Sequence, residues 1–226
     1  MKNTSIISIF TLFLLTSLYA TNRTSDEGWK FKIVGDVIGV IYDIDLDTDK
    51  KIGTGFVARD SLTVITAGHV AKYENVGYYR GVASGKLYKV SLDIVIEDKD
   101  VGLLRLSEPV EGVPIEICDT NCIDVNDTII YCGFDFISSK PGSTVVFSDQ
   151  AKVESIGEFS LKGRKAPFFD YWGRGIPGYS GGPVFNIKGK VIGIVIKGSW
   201  VRPVKAKPGT ERLLNRAVII DHRTFE

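Results

Sequence analysis

Histidine is almost missing from this chain of 226 residues: His69 and His222 are its only imidazoles. Cysteine is nearly as scarce, with Cys118, Cys122 and Cys132 falling in one short region. Thiolate zinc sites ordinarily take four ligands and no histidine lies near this group, so no metal is expected. Two of the three cysteines can pair, which predicts one disulfide, but their spacing does not say which two. Charge of one sign is also lacking. Lys plus Arg number 28 and Asp plus Glu 27, which removes the usual grounds for a nucleic acid or an acidic membrane as partner. There is no internal repeat and no low-complexity run. Helical periodicity is nearly absent, with two short candidates, the segment after His69 and Glu211 to Leu214. Long apolar runs are missing beyond the first twenty residues, so no later segment is expected to span a membrane.

The one long apolar run is Ile6 to Leu18, which follows Lys2 and precedes Leu18-Tyr19-Ala20. That pattern reads as a secretory signal peptide over residues 1–20, cleaved after Ala20. The run is short for a spanning helix of about 20 residues. A secreted or periplasmic protein without membrane contact after cleavage is the expectation.

What the chain does have is short β-branched runs and 24 glycines. Ile33 to Tyr42, Thr54 to Val57, Leu62 to Thr66, Leu87 to Ile96 and Val101 to Leu106 read as strands. So do Thr128 to Cys132, Thr144 to Phe147, Lys152 to Ile156, Val184 to Ile187, Val191 to Ile196 and Arg216 to Ile220. Turn residues separate them, the signature of an all-β barrel or sandwich. Two prolines and a glycine in Ser107 to Pro114 break any ladder there. They divide the chain into halves at 31–110 and 115–226. Neither half has enough apolar strand to stand alone, so the two should share a core.

Three segments carry chemistry. Gly178-Tyr179-Ser180-Gly181-Gly182-Pro183 places a hydroxyl between glycines, which let backbone come close to a substrate carbonyl. Thr66-Ala67-Gly68-His69-Val70 follows an apolar strand and sets an imidazole beside small residues. Histidine is the natural general base because its unperturbed pKa, about 6.5, sits near working pH. Asp98-Lys99-Asp100-Val101 leads into an apolar strand, and Asp100, nearer that strand than Asp98, is the candidate orienting acid. A base, an acid that fixes its tautomer, and a nucleophile are what acyl transfer by serine requires. Each segment alone has an ordinary structural use: a glycine turn, a strand-end histidine, a capping aspartate. The conjunction in the order His, Asp, Ser is the informative signal, since that order separates the chymotrypsin class from subtilisin and from α/β-hydrolases.

These segments, with Gly53-Thr54-Gly55-Phe56 ahead of the histidine, resemble the signatures of trypsin-like serine peptidases from about Phe31 onward. The resemblance implies two antiparallel six-stranded barrels with the active site in the cleft between them. It implies a triad of His69, Asp100 and Ser180, an oxyanion hole at the backbone amides of Gly178 and Ser180, and no cofactor. Tyr179 stands where animal trypsins carry an aspartate that pairs with a newly cut N-terminus. Ile33-Val34-Gly35 after Lys32 is similar to an activation site but lacks that partner. The chain is therefore closer to bacterial and stress-protease-type members.

The expected activity is that of a secreted serine endopeptidase acting on protein or peptide substrates. A catalytically idle binding module and an esterase using the same triad are the alternatives. For specificity, the resemblance puts the pocket floor at Arg174 and its wall at the strand Val191 to Ile196, with Lys197 and Gly198 following. If Arg174 points inward, it suits Glu, Asp or a small polar residue before the cut. If it points to solvent, Ile196 and its neighbours favour apolar residues. No acid lies in either segment, so a preference for Lys or Arg is excluded.

Overall fold

A computed structural model describes residues 35–119, 122–136, 146–161, 163–173, 177–201 and 212–226. The proposed signal segment and Arg174 lie outside them. Twelve strands form two closed antiparallel barrels of six. The first contains β1 (Ile38–Asp43), β2 (Lys51–Val57), β3 (Thr63–Ala67), β4 (Val76–Gly81), β5 (Leu87–Ile96) and β6 (Val101–Leu106), in the order β1-β2-β3-β6-β5-β4. The second contains β7 (Thr128–Phe134), β8 (Val146–Leu161), β9 (Arg164–Trp172), β10 (Pro183–Asn186), β11 (Val191–Val201) and β12 (Arg212–Ile219), in the order β10-β11-β12-β9-β8-β7. A single helical turn, α1 (Gly68–Ala71), follows β3.

Side-chain alternation builds three apolar cores from these strands. Ile41, Val57, Val64, Tyr79, Tyr88 and Leu104 fill the first barrel. Ile129, Tyr131, Val153, Phe169, Tyr171 and Val184 fill the second. The third core lies between the barrels, where Val40, Phe56 and Ile65 of the first meet Phe134, Phe185 and Ile194 of the second. β1, β3, β7 and the Val191 to Val195 part of β11 thus bury both faces. Ile129 and Tyr131 point into their own barrel, while Ile130, Cys132 and Phe134 point across the interface.

The passage between barrels is stitched to both. Ile115 bridges to Ala58 of the first, and two residues later Ile117 bridges to Val191 of the second. Directly after it, Cys118 forms a disulfide with Cys122, and Cys132 remains a buried free thiol.

Several local expectations are corrected. The expected break between Phe147 and Lys152 is absent: Val146–Leu161 is one sixteen-residue strand, β8, and Thr144 lies outside the described residues. The helix candidate at Glu211 to Leu214 is strand from Arg212 onward, because β12 is hydrogen-bonded to β11 and β9 on either side. β11 continues past Ile196 to Val201. β4 and β9 were not anticipated. In β4, burial alternates along a Gly- and Tyr-rich sequence, and in β9 Pro167 interrupts the apolar pattern.

Candidate active site

His69 occupies the second position of α1, just beyond the β3 strand end. Asp100 holds it twice. One carboxylate oxygen accepts the backbone N–H of His69 and the other lies against its ring Nδ1, both at 2.8 Å. A carboxylate can only accept, so Nδ1 carries a proton, and in the neutral imidazole this leaves the lone pair on Nε2. The Asp100 carbonyl also accepts the Gly68 N–H at 2.7 Å. Asp100 makes these contacts from a left-handed backbone, φ 53°, a region that aspartate tolerates better than most residues. Gly102 completes the fit. A Cβ there would stand 2.3 Å from the Cβ of Ala71, so only glycine lets α1 sit down on β6.

The competing acid, Asp98, faces elsewhere, 3.9 Å from the Arg164 guanidinium of the second barrel. Between the two aspartates, Lys99 donates to the Thr224 hydroxyl at 3.1 Å. Thr224 belongs to a 3-10 turn (His222–Phe225) capped by Asp221. Phe225 packs on the core between the barrels and under the Arg59 guanidinium. The loop that presents Asp100 is therefore tied on both sides to the C-terminal half of the chain.

Ser180 lies in a tight turn closed by the Gly182 N–H on the Tyr179 carbonyl, 2.9 Å. Gly178 and Gly181 have φ of 106° and 86°. A Cβ on Gly181 would fall 2.0 Å from the Thr66 hydroxyl. The turn is sewn to the strands leading to His69. Thr54 donates its N–H to the Ser180 carbonyl at 2.9 Å. Its hydroxyl donates to the Gly178 carbonyl at 2.6 Å and accepts the Phe134 N–H at 2.9 Å. Thr66, two residues before Gly68, donates to the Thr54 carbonyl at 2.7 Å. Sequence reasoning noted the Gly53 to Phe56 motif but missed what its threonine does, because its partners Gly178, Ser180 and Phe134 come from distant parts of the chain. On the other side, the Gly181 N–H donates to the Val195 carbonyl of β11 at 2.8 Å. The Gly178 and Ser180 N–H groups donate to no group among the described residues.

Tyr179 is buried in the second barrel, its ring 6.0 Å from that of Tyr131. Of the expected pocket wall, Val191 to Val195 are buried in the cores and cannot line a pocket. Ile196 stands at a bulge between Val195 and Lys197 and is half-buried, whereas Lys197 and Gly198 are exposed. Among the described residues no cluster of His, Cys, Asp and Glu has the makings of a metal site.

Comparison with known proteins identifies the family and the fold. A model of the trypsin-like peptidase domain matches residues 53–194. No curated protein matches the chain. Among solved structures, the Rv3671c protease from M. tuberculosis in its active form is similar with a TM-score of 0.61 at 15% identity, over 82% of this chain and 76% of that one. The inactive form of the Rv3671c protease gives a TM-score of 0.61 at 14% identity, over 81% and 83%. At such identities the likeness is one of fold.

Proposed function

This chain belongs to the family of trypsin-like peptidase domains and is a serine-type endopeptidase, and from that premise we propose that it cuts peptide bonds through an acyl-enzyme on Ser180. The Ser180 hydroxyl attacks the scissile carbonyl as His69 Nε2 takes its proton. Asp100 keeps the imidazole in that tautomer and stabilises the imidazolium. The Gly178 and Ser180 amides donate to the oxyanion. His69 then gives its proton to the leaving amine, and water, activated by the same imidazole, resolves the ester.

The observation that carries this reading is the double hold of Asp100 on His69, at the end of strands hydrogen-bonded to the turn that contains Ser180. Both glycine-bounded amides lack partners among the described residues, as donors awaiting an oxyanion would. Tyr179, buried among aromatic rings, offers no carboxylate to a cut N-terminus, so activity needs no cleavage after Lys32. The residue before the cut is read by the segment Ile196, Lys197 and Gly198. Export to an extracellular or periplasmic space fits the apolar run before Ala20 and a disulfide that an oxidising compartment would preserve.

A fluorophosphonate probe tests the nucleophile directly. The folded protein is expected to label at Ser180, and S180A and H69A to remain unlabelled. Labelling elsewhere, or normal peptide turnover in S180A, would overturn the assignment.

A further inference from the structure

Asn215 is completely buried, 0% exposed, yet neither its Nδ2 nor its Oδ1 has a hydrogen-bond partner among the described residues. Leaving such atoms unpaired is costly, so native folds seldom do it without a use for them. The neighbours of Asn215 indicate the use. β12 pairs it with Gly198 of β11 on one side and with Tyr171 of β9 on the other. Residues opposed in this way share one face of the sheet. The row runs from Tyr171, buried with an unpartnered hydroxyl, through Asn215, to Gly198. Gly198 is exposed and has no side chain, so the row opens to solvent there. β11 itself is hydrogen-bonded at Val195 to Gly181 and Gly182, next to Ser180. The opening at Gly198 lies three residues along the same strand, about 10 Å away.

We infer that the carboxamide of Asn215 reads the side chain preceding the cut, and that the preferred residue is glutamine. This rests on the peptidase reading above. The choice follows from complementarity. Asn215 offers an N–H donor and a carbonyl acceptor together. A carboxylate satisfies the donor and leaves Oδ1 facing a negative charge. An ammonium or guanidinium satisfies the acceptor and leaves the donor idle. An apolar side chain satisfies neither. A second carboxamide satisfies both, and glutamine reaches deeper past Gly198 than asparagine.

The test uses fluorogenic peptides identical except for Gln, Asn, Glu, Ser, Lys or Leu before the scissile bond. Wild type should favour Gln over Glu, Lys and Leu by about tenfold or more in kcat/KM, the effect of one or two well-made hydrogen bonds. N215L should lose that preference, and N215D should turn it toward Lys. If N215L does not fold, N215S supplies the same comparison with a shorter polar group. In parallel, binding of product peptides ending in Gln or Leu to S180A is measured by calorimetry. The Gln peptide should bind about tenfold tighter, and S180A/N215L should bind the two alike. Hydrolysis without a Gln preference, or a preference unchanged by the Asn215 variants, overturns this inference while leaving the peptidase reading intact. No hydrolysis by wild type, with Asn215-dependent binding of the Gln peptide to S180A, overturns the peptidase reading and keeps only the recognition of a glutamine side chain by Asn215. Equal binding of both peptides to S180A overturns it.

Discussion

Asp100 grips His69 through both carboxylate oxygens, one on the backbone N–H and one on the ring, each at 2.8 Å. The grip fixes the outcome of a conservative substitution. In D100N, one side-chain atom must still accept the backbone N–H, so the amide oxygen stays there and the NH2 faces Nδ1. A donor in that position forces the imidazole proton onto Nε2, where it blocks base catalysis. We expect kcat to fall on the order of 10⁴-fold with the fold intact. D98N, which disturbs only a distant contact with Arg164, should keep near-normal turnover. Steady-state kinetics on the two variants separate these outcomes. A silent D100N beside a crippled D98N would mean the acid is misassigned.

Thiol chemistry should report the cysteine arrangement. Ellman's reagent should find no reactive thiol in the native protein, one after denaturation, and three after reduction. Burial pushes the Cys132 thiol up to about 12 from an ordinary value of 9.0. Between those values the unfolded chain gives up a proton that the folded chain keeps. The contribution to stability is therefore whole below pH 9 and is lost as pH rises toward 12. The buried phenols of Tyr79 and Tyr171, also raised by burial, act in the same direction. Urea midpoints measured across the alkaline range should decline accordingly.

Two glycines with similar backbone angles should respond differently to alanine. Gly181 (φ 86°) has the Thr66 hydroxyl and Thr54 carbonyl within 2.1 Å of where a Cβ would stand, whereas Gly85 (φ 73°) has nothing within 4 Å. G85A should cost about 1 kcal/mol, from backbone strain alone. G181A adds steric conflict and should cost on the order of 3 kcal/mol and displace the nucleophile. Equal thermal shifts for the two would contradict the packing described around Ser180.

Thr54 should behave as a polar joint. T54V keeps the shape but strips partners from the Gly178 carbonyl and the Phe134 N–H, both in buried surroundings. Losses of about 3 kcal/mol in stability and a clear drop in kcat are expected. T54S retains the hydroxyl and should recover most of both. Failure of serine to do better than valine would show that the methyl group, not the hydroxyl, matters here.

How far the fold could be read from sequence follows from which faces of each strand are buried. β1, β3, β6 and β7 lie against two cores at once, so Ile38 to Tyr42 or Val101 to Leu104 appear as unbroken apolar runs. β8 turns Glu154, Ser155 and Glu158 to solvent, and its length was hidden by that polar face. Leu213 and Leu214, beside charged neighbours, look helical locally; only pairing with β11 and β9 makes them strand. The His69, Asp100 and Ser180 segments were legible because the glycines that surround them have few other reasons to recur. Thr54 and Asn215 were not, since a threonine or an asparagine in a strand acquires meaning only from what stands across the sheet.

The buried hydroxyl of Thr54 also makes activity a clock for assembly. Each barrel closes through its own ladder, but the turn bearing Ser180 gains its Thr54 contacts only when the second barrel has reached the first. During refolding, far-ultraviolet dichroism should therefore recover with barrel closure, and catalytic competence should return later, with docking. Substitutions in the core between the barrels, at Phe56 or Phe185, would lengthen that lag without slowing the earlier phase.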